Sequence, residues 1–443
     1  MMLHLWRNRF TRSWAAVCAC LAVALAGVLL VTTAPSRTVA ARSGSAALVA
    51  ALRAAGLRPG TQFTPVIAST LTVPAPFEGS DNRIHLAYEL LLLNTSPFPV
   101  RISQVQVLDA ATHRVLLNLT GAALKAQFTP VGAPEGDEGG HDPGNPSRST
   151  TIPSSATSVV WLDVSLPAHA EVPRRMVHRV AGAVILPGGD QLARFSDLIK
   201  PVRTSRRHAT VLSPPVKGGL WYMSEGCCTD NTHHRRGLGS VNGQLMVPQR
   251  FAIDFFKVDS QIRAWAGDPS KLTSYFTYRQ PVIAAAPGTV VDLLDGLPNN
   301  PAVPHVPKPT PPIGQTVGNH VTVRIGPGLY VLYAHLDPGS VRVQIGEKVR
   351  RGEVLGLMGT SGFSSTPHLH FQIMTTREFF PTNSVPYVFD RFRLLGRVPV
   401  RIWDDNIGLQ PTGKLPFIPA KRPGLHRDQL PLDRSIVVFR ARR

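Results

Sequence analysis

Two histidines separated by one residue, His368 and His370 in PHLHFQI, carry the most informative chemistry in this chain. On a strand, residues two apart share a face. Both imidazoles then project together, while Leu369 and Phe371 point the other way into a core. Side-by-side imidazoles repel when protonated, and simple burial gives no reason for them. A metal ion or a hydrogen-bonded catalytic pair does. Three other pieces carry candidate chemistry. Asp254 lies in QRFAIDFF, His335 ends the strand-like part of YVLYAHLDPGS, and THHRR brings His233 and His234 shortly before Asp254. The run QIGEKVRRGEVLGLMG, residues 344–359, shapes the scaffold between them.

The elements that must position these residues read as strands. HVTVRI, LYVLYAHL and HLHFQIM are dense apolar alternations within residues 281–374, and glycine-marked turns separate them. This second β region begins near Ser205. Upstream, HLAYELLLLNTSPFPVRISQVQVLD reads as two strands around a turn at residues 94–97. Val105 and Val107 share one face and Gln104 and Gln106 the other, but Ile102 falls on the glutamine face. Another strand lies near residues 158–164. Residues 132–149, rich in Gly, Pro, Asp and Glu, predict a mobile loop. The chain is therefore expected to be mainly β. An immunoglobulin-like β-sandwich over 62–204, with a spacer or binding role, precedes a second β domain over 205–400. A basic, Pro-rich C-terminal extension over 401–443 carries one late strand at 435–439.

Composition narrows the setting. The chain has 443 residues, a hydrophobic fraction of 43% and a formal net charge of +19. That length suits two or three domains with sizeable cores. The basic balance favours acidic partners such as an anionic cell wall, or else a solvated Arg-rich surface. There is no recognition helix, no aromatic–basic motif and no zinc-finger cysteine spacing, so nucleic acid is not an expected partner. Arg7, Arg9 and Arg12 precede an apolar run over 14–31, and the small residues of TTAPSRTVAAR follow. Residues 1–41 are thus expected to be a secretory signal cleaved near Ala40, or an uncleaved membrane anchor. Residues 42–61 would be a linker with a short Ala-rich helix over 43–57. Cys18 and Cys20 come too early for lipidation. Cys227 and Cys228 are adjacent. They either close a small ring that kinks a loop or remain inert thiols. Joint zinc ligation by this pair is not expected, because adjacent side chains diverge on an extended chain.

The stretch GNHVTVRIGPGLYVLYAHLDPGSVRVQIGEKVRRGEVLGLMGTSGFSSTPHLHFQIM resembles, without gaps, the signature half of the lysostaphin-type (LytM-like) metallopeptidases. PVIAAAPGTVVDLLDG resembles that family's preceding strand. The similarity covers about residues 221–400. The combination of Y-A-H-L, G-x-x-V-x-x-G-x-x-L-G and H-L-H-F is highly specific. The resemblance implies an antiparallel, barrel-sandwich-like peptidase sheet, one zinc ion per chain and peptidoglycan peptides as substrate. It implies that His370 and Asp254 are zinc ligands and that His335 and His368 are catalytic. Water would occupy the metal's open position.

One residue departs from the family pattern. The family's H-x-x-x-D motif maps onto residues 250–254, where this chain has Arg250. A guanidinium offers no lone pair to zinc. Arg250 shares a strand face with Asp254 and is expected to point toward the site. An active zinc endopeptidase then needs a replacement ligand. His233 or His234 could supply it, if the GLGSVNG turn folds THHRR back as an antiparallel neighbour of the Asp254 strand. Strand alternation admits only one of the two. The rival reading is a non-catalytic wall-binding protein, or a regulator of other wall hydrolases, with Arg250 ion-paired to Asp254 where the metal would sit. The run QIGEKVRRGEVLG also looks like a biotinyl or lipoyl hairpin, but no lysine sits at the required tip. The function expected from the sequence is an exported zinc metalloendopeptidase of peptidoglycan.

Overall fold

The computed structural model describes residues 64–132, 149–186, 191–228, 233–302, 311–400, 402 and 404–440. The charged start, the apolar run, the short helix over 43–57, Cys18, Cys20 and residues 133–148 of the expected loop lie outside the described residues.

Ten strands make up the first half. They are β1 (Val66–Thr70), β2 (Phe77–Glu78), β3 (Arg83–Asn94), β4 (Val100–Asp109) and β5 (Val115–Thr120), then β6 (Phe128–Pro130), β7 (Thr151–Ile152), β8 (Thr157–Pro167), β9 (Arg175–Ile185) and β10 (Gln191–Arg203). A short helix α1 (Gly121–Ala126) follows β5. The strands form two antiparallel sheets, ordered β1-β3-β8-β6 with β2 on β3, and β10-β9-β4-β5 with β7 on β4. β3 and β4 part into opposite sheets at the turn near Asn94. The Asn94 amide holds that turn by donating to the carbonyls of Phe98, Ile152 and Pro153. Leu86, Tyr88, Leu90 and Leu92 of β3 and Val160, Leu162 and Val164 of β8 line the core between the sheets, with Val105 and Val107 of β4. Ile102 joins the same core. A register shift between Ile102 and Gln104 inserts a bulge, and the bulge turns Ile102 inward despite its place on the glutamine face.

The outer face of the β3–β8 sheet is covered as well. His85, Ala87, Glu89, Val159 and Trp161 are all buried. A strand covered on both faces reads as a nearly continuous apolar run, which is what HLAYELLLLN is.

The second half supplies the cover. Its strands begin with β11 (Thr210–Leu212), β12 (Gly219–Ser224), β13 (Gly239–Val241), β14 (Gln244–Met246) and β15 (Ile253–Val258). They continue with β16 (Pro281–Ile283), β17 (Gly288–Leu294), β18 (Asn319–Gly326), β19 (Leu329–Leu336), β20 (Lys348–Val349), β21 (Val354–Leu357) and β22 (Leu369–Met374). The last four are β23 (Tyr387–Phe389), β24 (Phe392–Arg397), β25 (Ile418–His426) and β26 (Ser435–Phe439). One helical turn, α2 (His233–Arg236), lies between β12 and β13.

Ten of these strands form one sheet, ordered β20-β17-β18-β19-β22-β15-β12-β26-β24-β25. The late strand β26 lies beside β12, well inside the sheet. β25 and β26, which fall in the stretch expected as an extension, thus complete the sheet that carries the site. Thr64–Arg443 forms one compact unit. Phe77 and Ala87 of the first half belong to the same core as Trp221, Phe251, Phe255 and Phe371 of the second. A smaller cluster joins Val159 and Trp161 to Val247.

Candidate metal centre

Three neighbouring strands bring the distant histidines together. β22 pairs with β15 so that His370 faces Asp254, and with β19 so that His370 faces Ala334. His335 follows Ala334, and His368 sits just before β22, bridged to Gly359. The ring centres of His335 and His368 are 4.8 Å apart, and those of His335 and His370 are 5.8 Å apart. His234 arrives from α2, with its ring 4.7 Å from that of His370. Asp254, His234, His335, His368 and His370 are all buried. They line one cleft of about 220 Å³, walled further by Leu238, Val317, Phe363, Phe379 and Phe380.

Each of these imidazoles has one nitrogen tied to an acceptor. His234 Nδ1 donates to the Glu225 carbonyl at 3.1 Å, His335 Nδ1 to the Ser361 carbonyl at 2.8 Å and His368 Nδ1 to the Thr366 carbonyl at 2.9 Å. His370 Nε2 donates to Gln372 Oε1 at 2.9 Å, and the Gln372 amide in turn donates to the Pro248 carbonyl. A carbonyl oxygen can only accept, so these contacts set the tautomers. When these rings are neutral, the opposite nitrogen of His234, His368 and His370 carries a lone pair, and all three such nitrogens face Asp254. The separations are 3.6 Å for His234 Nε2, 3.6 Å for His368 Nε2 and 3.0 Å for His370 Nδ1. Lone pairs opposed to a buried carboxylate repel unless a proton or cation lies between them. His234 Nε2 is buried with no hydrogen-bond partner. Burial, and then the neighbouring imidazoles of His233, His370 and His368, hold His234 well below the usual histidine range. His234 is therefore a neutral donor, and this set of nitrogen and oxygen atoms is of the kind that suits zinc.

The backbone around His335 is built for its orientation. His335 itself has a φ of 62°, a costly conformation for a residue with a side chain. Ser361, whose carbonyl holds His335, is clamped by its hydroxyl between the Asn319 amide and the Leu336 carbonyl. Gly318 and Gly362 pass so close to each other and to Ser361 that a Cβ on either would overlap backbone atoms.

Two sequence expectations about this neighbourhood are corrected. The first concerns THHRR. Its described residues, His233–Arg236, do not fold back as a strand beside Asp254; they form the helical turn α2, and β15 has β12 and β22 as its neighbours. GLGSVNG supplies β13 and the turn of a separate small hairpin with β14. On a helical turn strand alternation does not apply, and the candidate ligand atoms of His233, His234 and Asp254 all lie within 4.8 Å of one another. The two histidines still differ. His234 Nε2 faces Asp254, whereas His233 is partly exposed with Nδ1 at 3.1 Å from Glu225 Oε2.

The second correction concerns Arg250. It precedes β15 and makes no ion pair with Asp254. Its Nε and Nη2 donate to the two carboxylate oxygens of Glu89 on β3, at 2.8 and 2.6 Å. The residue that departs from the family pattern is thereby taken out of the site. Cys227 and Cys228, two residues beyond Glu225, are joined as a disulfide.

Gln372, Ser361, Thr366 and Glu89 were not among the residues singled out in the sequence. Gln372 was within reach, since the face shared by His368 and His370 continues onto it. Glu89 carried a signal too, as a lone carboxylate within an apolar strand run that must find a buried partner. Ser361 and Thr366 act through backbone carbonyls, which leave no mark in residue type.

Residues 275–381 match the family description "Peptidase family M23", a span that includes His335, His368 and His370. The glycyl-glycine endopeptidase ALE-1 of Staphylococcus capitis is 46% identical over 43 residues, which are 10% of this chain and 11% of that protein. The DD-carboxypeptidase/endopeptidase Mpg of Neisseria meningitidis serogroup B is 46% identical over 55 residues, 12% of each protein. The matched stretches thus span about a ninth of these curated relatives' length. The solved catalytic domain of lysostaphin from Staphylococcus simulans aligns with 38% of this chain and 88% of that one, at 20% identity and a TM-score of 0.21. That score carries no weight beside the motif-bearing matches. From those matches, this mainly β chain carries a Peptidase family M23 domain of the lysostaphin (LytM-like) type.

Proposed function

We propose that the protein is an exported zinc metalloendopeptidase that hydrolyses peptide bonds of peptidoglycan. The observation that carries this reading is the convergence of three imidazole nitrogens on Asp254, each ring held from behind by a fixed acceptor. Asp254, His234 and His370 would hold one zinc ion per chain. His234 then fills the role that Arg250 cannot. When bound, zinc would supply Lewis acidity to the scissile carbonyl and lower the pKa of water.

The remaining chemistry belongs to the chain. His368, with Nδ1 committed to Thr366, presents Nε2 as the nitrogen that can take a proton from the attacking water. His335, held through Nδ1 by Ser361, stands beside it, positioned to stabilise the developing oxyanion. The narrow cleft with Phe379 and Phe380 on its wall suits an extended peptide of small residues, as in a wall stem or cross-bridge. Two relatives are named as endopeptidases, one of them for glycyl-glycine bonds. Export is supported by the charged and apolar start of the sequence and by the Cys227–Cys228 disulfide. The first half is proposed to be part of the peptidase body, with peptidoglycan as the partner and membrane anchoring through residues 1–41 as an option.

Metal analysis of the purified full chain, with turbidity loss of purified peptidoglycan, tests the reading. About one zinc per chain and chelator-sensitive clearing are expected. A chain that binds no zinc and clears no wall material would instead be a binding or regulatory protein.

A further inference from the structure

A buried cluster of charged side chains outside the metal centre is tied to it through α2 and the segment before β15. Glu89 is fully buried on the face of β3 turned away from the sandwich core. Its Oε1 accepts from Arg235 Nη1 at 2.5 Å and from Arg250 Nε at 2.8 Å, and its Oε2 accepts from Arg250 Nη2 at 2.6 Å. Burial opposes the charge of Glu89, but Arg250 and Arg235 outweigh it and hold the carboxyl below its usual range. Arg235 also donates through Nη2 to the Tyr88 and Leu162 carbonyls of β3 and β8. Arg236 reaches the Ala126 carbonyl and Gln127 Oε1, and both guanidiniums lie over the Trp161 ring, at 5.1 and 5.2 Å.

These contacts meet two residues with leverage on the site. Arg235 follows His234 directly, and Arg250 stands four residues before Asp254. The turn α2 has four residues, far below the length at which a helix holds itself together. Its place must come from what its side chains grip.

We infer that Glu89 is a positioning residue for the metal centre: one carboxylate of the sandwich grips Arg235 and Arg250 and so sets the positions of His234 and Asp254. The sandwich then works as the platform that holds the third ligand in place. This rests on the zinc reading above.

The test uses the full chain and three readouts. These are zinc affinity by chelator competition, thermal midpoint, and amide exchange of residues 233–236 in the metal-free protein. Arg235→Met leaves the Glu89–Arg250 pair in place and is expected to keep the fold, so it decides even if Glu89→Gln fails to fold. Both variants are expected to weaken zinc binding about 10- to 100-fold. Exchange at 233–236 should quicken while the sandwich core stays protected, and Arg235→Lys should restore part of the affinity. A folded Arg235→Met protein with wild-type zinc affinity and wild-type exchange at 233–236 would overturn the inference. If that happens while His234→Ala loses zinc, the positioning role alone fails. If wild type binds no zinc, the functional reading fails and the role toward zinc with it. The exchange result then decides whether Glu89 places α2 at all.

Discussion

Two buried polar clusters lie on either side of α2, and they are built in opposite ways. Around Glu89, two guanidiniums meet one carboxylate with hydrogen bonds between 2.5 and 2.8 Å, and backbone carbonyls take further donors. Donors face acceptors, and both oxygens of Glu89 are taken, which closes the cluster around its carboxylate. Around Asp254, three imidazole nitrogens face a carboxylate with their lone pairs, and His234 Nε2 has no partner. With neutral imidazoles acceptors face an acceptor, and the cluster has room for a proton or a cation between them. A closed cluster in a protein interior holds parts together, whereas an open one is a binding site. Residue types alone do not separate the two, since each contains one carboxylate and several basic side chains.

Cutting the first cluster away should have the largest effect. Removing residues up to 204 would strip the cover from Phe251 and Val247 and leave Arg235 and Arg250 buried or dangling without a counter-charge. The remainder is expected to show no cooperative unfolding transition in urea and no bound zinc. A truncated protein that unfolds cooperatively and binds zinc would mean that the two halves are independent after all.

Breaking the open cluster should spare the fold and abolish the chemistry. His370→Ala and His234→Ala are each expected to lose the metal and at least about 10⁴-fold in turnover, roughly 5 kcal/mol of transition-state stabilisation. His335→Ala should keep the metal and lose about 10²- to 10⁴-fold in kcat. Metal content alongside turnover separates ligand from catalyst. Retained zinc in His234→Ala would return the third ligand to the unassigned.

Arg250→His discriminates between the clusters directly. Were Arg250 part of the metal site, restoring the family's histidine would tighten zinc. In the structure that change removes the bidentate partner of Glu89 instead. A loss of about 3–5 kcal/mol in stability is expected, with no gain in zinc affinity. Denaturant unfolding and chelator competition on the same sample give both numbers.

The smallest effect concerns His85, on the same outer face as Glu89. Burial opposes its charge, but hydrogen bonds to Asp163 and Asp81 outweigh this and push its pKa up to about 9. A raised pKa means that the folded state binds the proton more tightly than the unfolded state. The stabilisation is complete below about pH 6.5 and fades as pH rises through 9. Wild type should lose roughly 2 kcal/mol between pH 6.5 and 9.5 that His85→Gln does not lose. Equal slopes for the two proteins would show that His85 is not charged in the folded state.

Much of this protein was legible in its residues because strand periodicity is local. The H-x-H pair had to present both imidazoles on one face, and β22 with the residue just before it turns both toward Asp254 while Leu369 and Phe371 enter the core. The strands of both halves could be read from apolar alternation, and the specific motifs between residues 318 and 374 named the peptidase fold. Other features depended on contacts between residues far apart in sequence. Ile102 was off-pattern until a bulge opposite β9 turned it inward. Arg250 shared a nominal face with Asp254, yet its direction was decided by a carboxylate 161 residues away. The choice between His233 and His234 rested on whether THHRR extended or coiled, and its grip on Glu89 and Trp161 settled that as a helical turn. A side chain's period follows from its own backbone, but the partner of a buried charge is set by whichever distant strand the fold lays against it.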